Sequence, residues 1–99
     1  MIYSTLLSYD ANLAEVEAVL AEELPKLTDV IPGLLKPPVY EGVDSLADSS
    51  VLLRIAIYVN SGVRYPALRS LNREMKLIFD RHGIEIPFKQ LVVHEAKES

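Results

Sequence analysis

The side chains that could do chemistry in this sequence are few, and they are scattered along the chain. His82 and His94 lie far apart and lack the spacing of a pair of metal ligands. Ser49 and Ser50 have no histidine or other base nearby in sequence, and a serine without an orienting partner is ordinarily a turn residue. The sequence therefore predicts no catalytic residue, no cofactor-binding residue and no metal ligand, and we expect the protein not to be an enzyme.

The carboxylates and glycines give no stronger signal of a chemical site. Glu15, Glu17, Glu22 and Glu23 fall on a predicted amphipathic helix, where such residues normally form the solvated face. The 4 glycines stand far apart, so the sequence contains no glycine-rich loop that could hold a phosphate. Because the chain has no cysteine, disulfides and thiolate metal sites are excluded, which agrees with a reducing compartment.

Length and composition are those of one ordinary folded domain. The 99 residues are enough for a single domain spanning 1–99, and 49% of them are hydrophobic and 24% charged. The formal net charge of −4 argues against a nucleic acid as a partner. No apolar run approaches the ~20 residues that a membrane helix needs, so we expect this chain to be soluble and to make no membrane contact itself.

Hydrophobic spacing predicts two helices among several strands. Apolar residues at spacings of three and four predict a helix that begins at Asn12 and that Pro25 ends or kinks. The same spacing predicts a second helix from about Pro66 to His82, followed by Gly83 as a left-handed cap. Strands are predicted at 2–9, 39–46, 51–59 and 91–95, with a connector at 28–36, a bulge at Gly42 and a polar turn at 48–50.

This order of elements predicts an α+β fold of the ferredoxin-like type. Such a fold is a βαββαβ sandwich in which two helices cover one face of a mostly antiparallel sheet. The strand at 51–59 directs Leu53, Ile55 and Ile57 to one face, and its other face is mixed, with Ala56 and Tyr58 among its residues. Apolar residues on the less covered face indicate a covering partner, and we expect Tyr58 at that contact.

The two predicted helices carry opposite charge. Acidic residues outnumber the single base, Lys26, in the segment 10–29, whereas basic residues outnumber Glu74 and Asp80 in the segment 64–82. One interpretation is that neighbouring helices have complementary solvated edges, whose exposed ion pairs contribute only ~0–1 kcal/mol each. The other interpretation is that the acidic helix of one subunit meets the basic helix of another and fixes its orientation.

A ferredoxin-like fold is compatible with several functions, so we weighed them separately. An acylphosphatase-like enzyme needs an anion-binding loop with an arginine after the first strand, but the loop at 9–12 is acidic. An RNA-recognition domain needs adjacent aromatic residues on a basic sheet, but the strand at 51–59 offers Tyr58 alone. A stand-alone regulatory domain that binds a small ligand needs no strong motif, and it stays open as the alternative function.

Several stretches of the sequence, taken in order, resemble the C-terminal part of the small-conductance mechanosensitive channel (MscS) family. They are Tyr9-Asp10-Ala11-Asn12-Leu13 with Val16, Pro37-Pro38-Val39 with Val43 and Leu46, Asp48-Ser49-Ser50-Val51-Leu52-Leu53, and the segment 71–90. The last segment includes Ile86-Pro87-Phe88-Lys89-Gln90. Two residues depart from the family pattern, since Lys89 stands where the family usually has a proline and Pro25 interrupts the first helix.

The resemblance implies a non-catalytic role in an ion channel of the bacterial cell membrane that responds to osmotic stress. In that family this region is the α/β part of a cytoplasmic cage, and transmembrane helices, a pore-lining helix and a small β domain precede it. The subunits form a homo-heptamer, inorganic ions cross side openings of the cage, and no cofactor is involved. The segment 91–99 would be an exit strand and tail, so Leu91, Val92 and Val93 join Tyr58 as expected subunit-interface residues.

Overall fold

An antiparallel sheet with two helices forms the framework of the computed structural model, which describes residues 1–46 and 50–86. The first strand is followed by a helix, two further strands and a second helix. These elements are β1 (Ile2–Ser8), α1 (Leu13–Glu23), β2 (Leu34–Leu46), β3 (Ser50–Val59) and α2 (Arg64–Arg81). Short 3₁₀ turns at Leu24–Asp29 and Ser61–Val63 precede β2 and α2.

The strand order in the sheet is that of a split βαβ unit. β3 lies in the centre and pairs antiparallel with both β1 and β2, so that β1 and β2 run parallel to each other. The register places Tyr3 opposite Ile55 on one side of β3 and Val39 opposite Ala56 on the other. The predicted α+β fold class is confirmed, and the predicted strand at 91–95 lies outside the described residues.

The core lies between the helices and one face of the sheet. Successive side chains of a strand point to opposite faces, and Leu53, Ile55 and Ile57 of β3 are fully buried under the helices, as predicted. The helices contribute buried side chains at helical spacing. They are Val16 and Leu20 from α1, and Ala67, Leu71, Met75, Ile78 and Phe79 from α2.

Local sequence signals fix where the helices begin and end. The side chain of Asn12 caps α1 by accepting a hydrogen bond from the amide of Glu15 at 3.1 Å, and this satisfies a donor that the helix leaves unpaired. α1 ends at Glu23, as predicted for a helix that Pro25 ends or kinks, and a 3₁₀ helix of six residues, Leu24–Asp29, follows with Pro25 in its first turn. α2 ends one residue before His82, and Gly83 follows with a φ of 68°.

Two tyrosine hydroxyls attach the helices to opposite halves of the sheet. Tyr3 of β1 donates a hydrogen bond to Asn72 Oδ1 of α2 at 2.7 Å, and Tyr40 of β2 donates to Glu17 Oε2 of α1 at 2.6 Å. Burial raises the pKa of the Tyr3 hydroxyl to about 12. Burial, followed by the hydrogen bond to Glu17, also raises the pKa of Tyr40. α2 therefore lies over the β1 half and α1 over the β2 half.

The start of β2 differs from the prediction. The strand begins at Leu34 rather than at 39, so Pro37 and Pro38 lie inside it. Proline is tolerated here because β2 is an edge strand of the described sheet, whose outward amides pair with no neighbouring strand. The predicted bulge is confirmed, since the register shifts between Tyr40 and Gly42, where φ is 122°.

One residue of the predicted connector and one residue of the predicted polar turn belong to strands in the structure. Leu35, which falls in the predicted connector, belongs instead to the edge strand β2 and is 61% exposed. Ser50, expected in a polar turn, is the first residue of β3 and is fully buried. The other residues of that predicted turn, Asp48 and Ser49, lie outside the described residues.

The close contact between the backbone at Gly33 and the side chain of Val63 can be tested by substitution. Its φ is 99°, and a Cβ at this position would lie 2.5 Å from Val63 Cγ2. Gly33→Ala should therefore lower the free energy of unfolding by about 1–3 kcal/mol, measured by urea denaturation. Gly62→Ala is the matched control because a Cβ there meets nothing within 4 Å. Equal denaturation midpoints for the two variants would contradict the contact between Gly33 and Val63.

Candidate functional site

The face of the sheet that points away from the helices contains the predicted interface residue. Tyr58 is 36% exposed on this outer face, and the ammonium group of Lys36 lies 4.1 Å from the centre of its ring. A cation over an aromatic face is attracted by the ring quadrupole and restricts the ring's position. The other predicted interface residues lie outside the described residues, so their proximity to Tyr58 stays a prediction. They are Leu91, Val92 and Val93.

Apolar pairs cover much of the outer face. Ala56 lies between Ile2 of β1 and Val39 of β2, and both of these neighbours are exposed large hydrophobic residues. A second apolar pair is formed by Leu6 and Leu52, which face each other across β1 and β3. The outer face therefore offers contact area to a partner.

A charged group on β3 lies between the apolar residues around Ala56 and those around Leu52. Arg54 Nε donates to Glu41 Oε1 at 2.8 Å, and one guanidinium nitrogen of Arg54 lies 3.9 Å from Asp44 Oδ1. All three side chains are substantially exposed, so these pairs contribute only ~0–1 kcal/mol each to stability. Their positions give the outer face a fixed pattern of charge rather than a large stabilising term.

A buried carboxylate connects the ends of the two helices. Glu23 is 8% exposed, and its Oε1 accepts a hydrogen bond from Arg81 Nη2 at 2.9 Å. Its Oε2 lies 3.1 Å from His82 Nε2. The hydrogen bond to His82, together with the charges of Lys26 and Arg81, lowers the pKa of Glu23 although burial opposes this shift.

The Glu23 contacts bear on two of the sequence predictions. His82 caps α2, as its predicted place at the helix end required, but its contact with Glu23 was missed. The opposite charges of the two helices were the signal that could have found it. For these helix ends the charges meet within one chain, as the first interpretation of that pattern expected. The prediction that Glu23 lies on the solvated face is wrong, because its carboxylate is buried between the helix ends.

A cavity of about 430 Å³ lies between the turn after β1 and the end of α2. Exposed acidic side chains contribute to its wall. The lining residues include Asp10, Asn12, Glu15, His82 and Glu85. Within residues 1–46 and 50–86, no group of three or more histidine or carboxylate side chains could hold a metal ion. Ser50 does not line the cavity itself but lies opposite the lining residue Ser8 in the sheet, and its fully buried hydroxyl has no hydrogen-bond partner in the described chain.

A comparison with known protein families matches most of the chain. Residues 3–86 match the family described as "Mechanosensitive ion channel MscS, C-terminal". This match covers most of the 99 residues, and the chain therefore belongs to the C-terminal domain family of MscS mechanosensitive ion channels. No curated protein and no solved structure matches the chain. In the described ranges, no helix combines the length and the apolar character that membrane crossing requires.

The lowered pKa of Glu23 predicts how stability depends on pH. Stability from the ionised carboxylate is present above the unfolded-state pKa of about 4.5 and is lost as pH falls through the lower folded-state pKa. At pH 7, Glu23→Gln should cost about 1 kcal/mol of unfolding free energy, because its charge-assisted bonds are lost. The difference from the original protein should shrink as pH falls below 4.

Thermal melting of both proteins from pH 7 to pH 3 measures this effect. Glu22→Gln is the control, because Glu22 is the exposed neighbour on the same helix. A deficit for Glu23→Gln that stays constant over the whole pH range would show that the ionised carboxylate is not what stabilises the helix ends.

Proposed function

We propose that this chain is a single non-catalytic domain, 1–99, of a mechanosensitive channel subunit on the cytoplasmic side of the bacterial membrane. Its role there is to provide contacts between subunits of a homo-heptamer and part of the vestibule wall past which inorganic ions move. The family match over residues 3–86 is the observation that carries this proposal. The partly apolar outer face of the sheet supplies a surface for those contacts.

Tyr58 is the anchor of the proposed subunit contact. A tyrosine combines a large apolar ring with a polar hydroxyl, and such residues are enriched where protein surfaces associate. Lys36 already holds the ring at 4.1 Å, so association loses less side-chain freedom than it would for an unrestrained tyrosine. The exposed side chains of Ile2 and Val39, which flank Ala56 on the same face, extend the contact beyond the ring.

The segment 91–99 is proposed to supply the second part of the assembly surface. Leu91, Val92 and Val93 form a consecutive apolar run with high strand propensity. By the resemblance, the corresponding strands of the subunits come together at the base of the cage. Apolar side chains gain about 25 cal/mol for each Å² that such a contact removes from water.

The proposed contact at Tyr58 can be tested in the full-length channel subunit. Tyr58→Asp places a carboxylate within an interface that excludes water, and the yield of assembled oligomer should fall by about tenfold or more. Tyr58→Phe should assemble normally because it retains the ring, and Tyr9→Asp, at an exposed tyrosine just after β1, controls for the introduction of a charge. Size-exclusion chromatography with light scattering gives the yield. Unchanged oligomer and unchanged channel gating in Tyr58→Asp would exclude this contact.

The cavity beside α2 supports a second candidate function, the regulatory binding of a small ligand. Its volume of about 430 Å³ lies within the range of small-molecule sites, although such sites are mostly lined by apolar groups. A thermal-shift screen with amino acids and nucleotides distinguishes the two candidates. We expect a flat screen, and a reproducible, dose-dependent rise in melting temperature that Glu15→Gln abolishes would instead favour the ligand-binding function.

A further inference from the structure

The central strand β3 divides the domain into two halves that carry different elements. On one side of β3 lie β2, the helix α1 above it, and the 3₁₀ helix Leu24–Asp29, which packs against β2. On the other side lie β1 and the helix α2 above it. We refer to these two halves as the β2 side and the β1 side of the domain.

The β2 side is acidic and the β1 side is basic. Segment 13–46 forms the β2 side, and its bases are Lys26 and Lys36. Its acids outnumber them even without Glu23, which bonds to α2: Glu15, Glu17, Glu22, Asp29, Glu41 and Asp44. On the β1 side, β1 has no charged side chain, and the acids of α2 are Glu74 and Asp80. The bases of α2 outnumber these acids: Arg64, Arg69, Arg73, Lys76 and Arg81.

One face of α2 directs basic side chains toward the β1 edge of the sheet. Asn72 lies on this face, because its Oδ1 accepts a hydrogen bond from the Tyr3 hydroxyl of β1 at 2.7 Å. Arg69 and Lys76 are three residues before and four residues after Asn72, so they share its face, and both are exposed. Lys76 is paired with Asp80 at 2.7 Å. Arg69 forms no ion pair within residues 1–46 and 50–86, so its charge is available to a partner.

The corresponding face of α1 combines an acid with short side chains. Glu17 lies on the β2 side, because its Oε2 accepts a hydrogen bond from the Tyr40 hydroxyl of β2 at 2.6 Å. Ala14 and Ala21 are three residues before and four residues after Glu17, and both are exposed on this face. The distance between packed helices depends on the side chains at their contact. A long side chain such as Arg69 from another copy therefore fits against this face without a clash.

The proposed homo-heptamer requires two different contact surfaces on each subunit. A two-fold contact joins the same surface of two copies and is complete as a pair, whereas a closed ring is built from head-to-tail contacts. Tyr58 is held by Lys36, which belongs to β2, so the proposed anchor lies beside the β2 side. The surface that it meets on the next subunit must be a different one. The β1 side is the candidate with opposite charge, and complementary charge fixes the orientation of two partners.

We propose that the acidic β2 side of one subunit binds the basic β1 side of the next subunit, so that α1 of one copy packs beside α2 of its neighbour. This inference rests on the proposed function, and it names the surface that the Tyr58 contact meets. The opposite charges of the helices are satisfied within one chain where Glu23 bonds to Arg81, and between chains along the rest of the helices. Since the two surfaces lie on opposite sides of the domain, each added copy presents a fresh surface until the ring closes.

Cross-linking in the full-length channel subunit tests this contact, because the 99 residues contain no cysteine of their own. Ala21→Cys and Arg69→Cys are introduced together, and any cysteines outside this domain are replaced. A bifunctional maleimide that spans about 8–10 Å, the spacing of packed helices, should link neighbouring subunits into a ladder that ends at the complete ring. The cross-linked yield should exceed that of either single variant at least about tenfold, because assembly holds the two different cysteines at high effective concentration.

Charge substitution at Arg69 tests the electrostatic part of the same contact. Arg69→Glu should lower the yield of assembled oligomer at least about fivefold relative to Arg69→Lys, because like charges that face each other oppose association. Arg69→Lys is the matched control, since it keeps the positive charge at an exposed position of α2. Size-exclusion chromatography with light scattering measures both yields.

Each contrary result has a defined meaning. An assembled channel that gives no ladder, or equal oligomer yields for Arg69→Glu and Arg69→Lys, overturns this contact while leaving the channel function intact. Cross-linked pairs in a single-cysteine variant identify a two-fold contact and also overturn it. If the full-length subunit forms no oligomer at all, the proposed function fails, and this contact fails with it.

Discussion

The structure depends on β3 pairing along both of its edges while one of its faces is covered by the helices. β1 and β2 take their positions from the register with this strand, and a shift by one residue would turn Leu53 and Ile55 from the core to the outer face. That constraint also determines which residues form the proposed interface. Tyr58 is exposed because Ile57 beside it is buried, so the core and the proposed interface are specified by the same alternation.

The helices are positioned by a small number of polar contacts added to the apolar packing. Tyr3 attaches α2 to the sheet and Tyr40 attaches α1, while Glu23 connects the ends of the two helices. Each such contact contributes modestly, about 0.5–1.5 kcal/mol for an ordinary hydrogen bond, but a buried partner left alone costs more. These contacts therefore select one arrangement of the helices from among several that would bury similar apolar area.

Sequence reasoning found the elements whose signals are local and missed features that depend on distant partners. The cap at Asn12 and the end of α2 before Gly83 follow from residues within one or two turns. The burial of Glu23 could not be read from its helix, because its partner Arg81 lies 58 residues away. The strand predicted from 39 in fact begins at Leu34, because proline is excluded from central strands but tolerated in an edge strand such as β2. The exposure of Tyr58 follows from the alternation of β3, but the residues that the proposed contact meets cannot be read from this domain.

The irregular backbone of β2 has a consequence for the proposed assembly of several copies. An unpaired strand edge is a template on which another chain can add a strand, and crowded identical copies raise that risk. Pro37 and Pro38 remove amide donors from this edge, and the register shifts along β2 interrupt its straight row of hydrogen-bonding groups. Neighbouring copies are thereby discouraged from joining edge to edge through their backbones. In the proposed assembly, contact between copies therefore rests on side chains, which specify orientation.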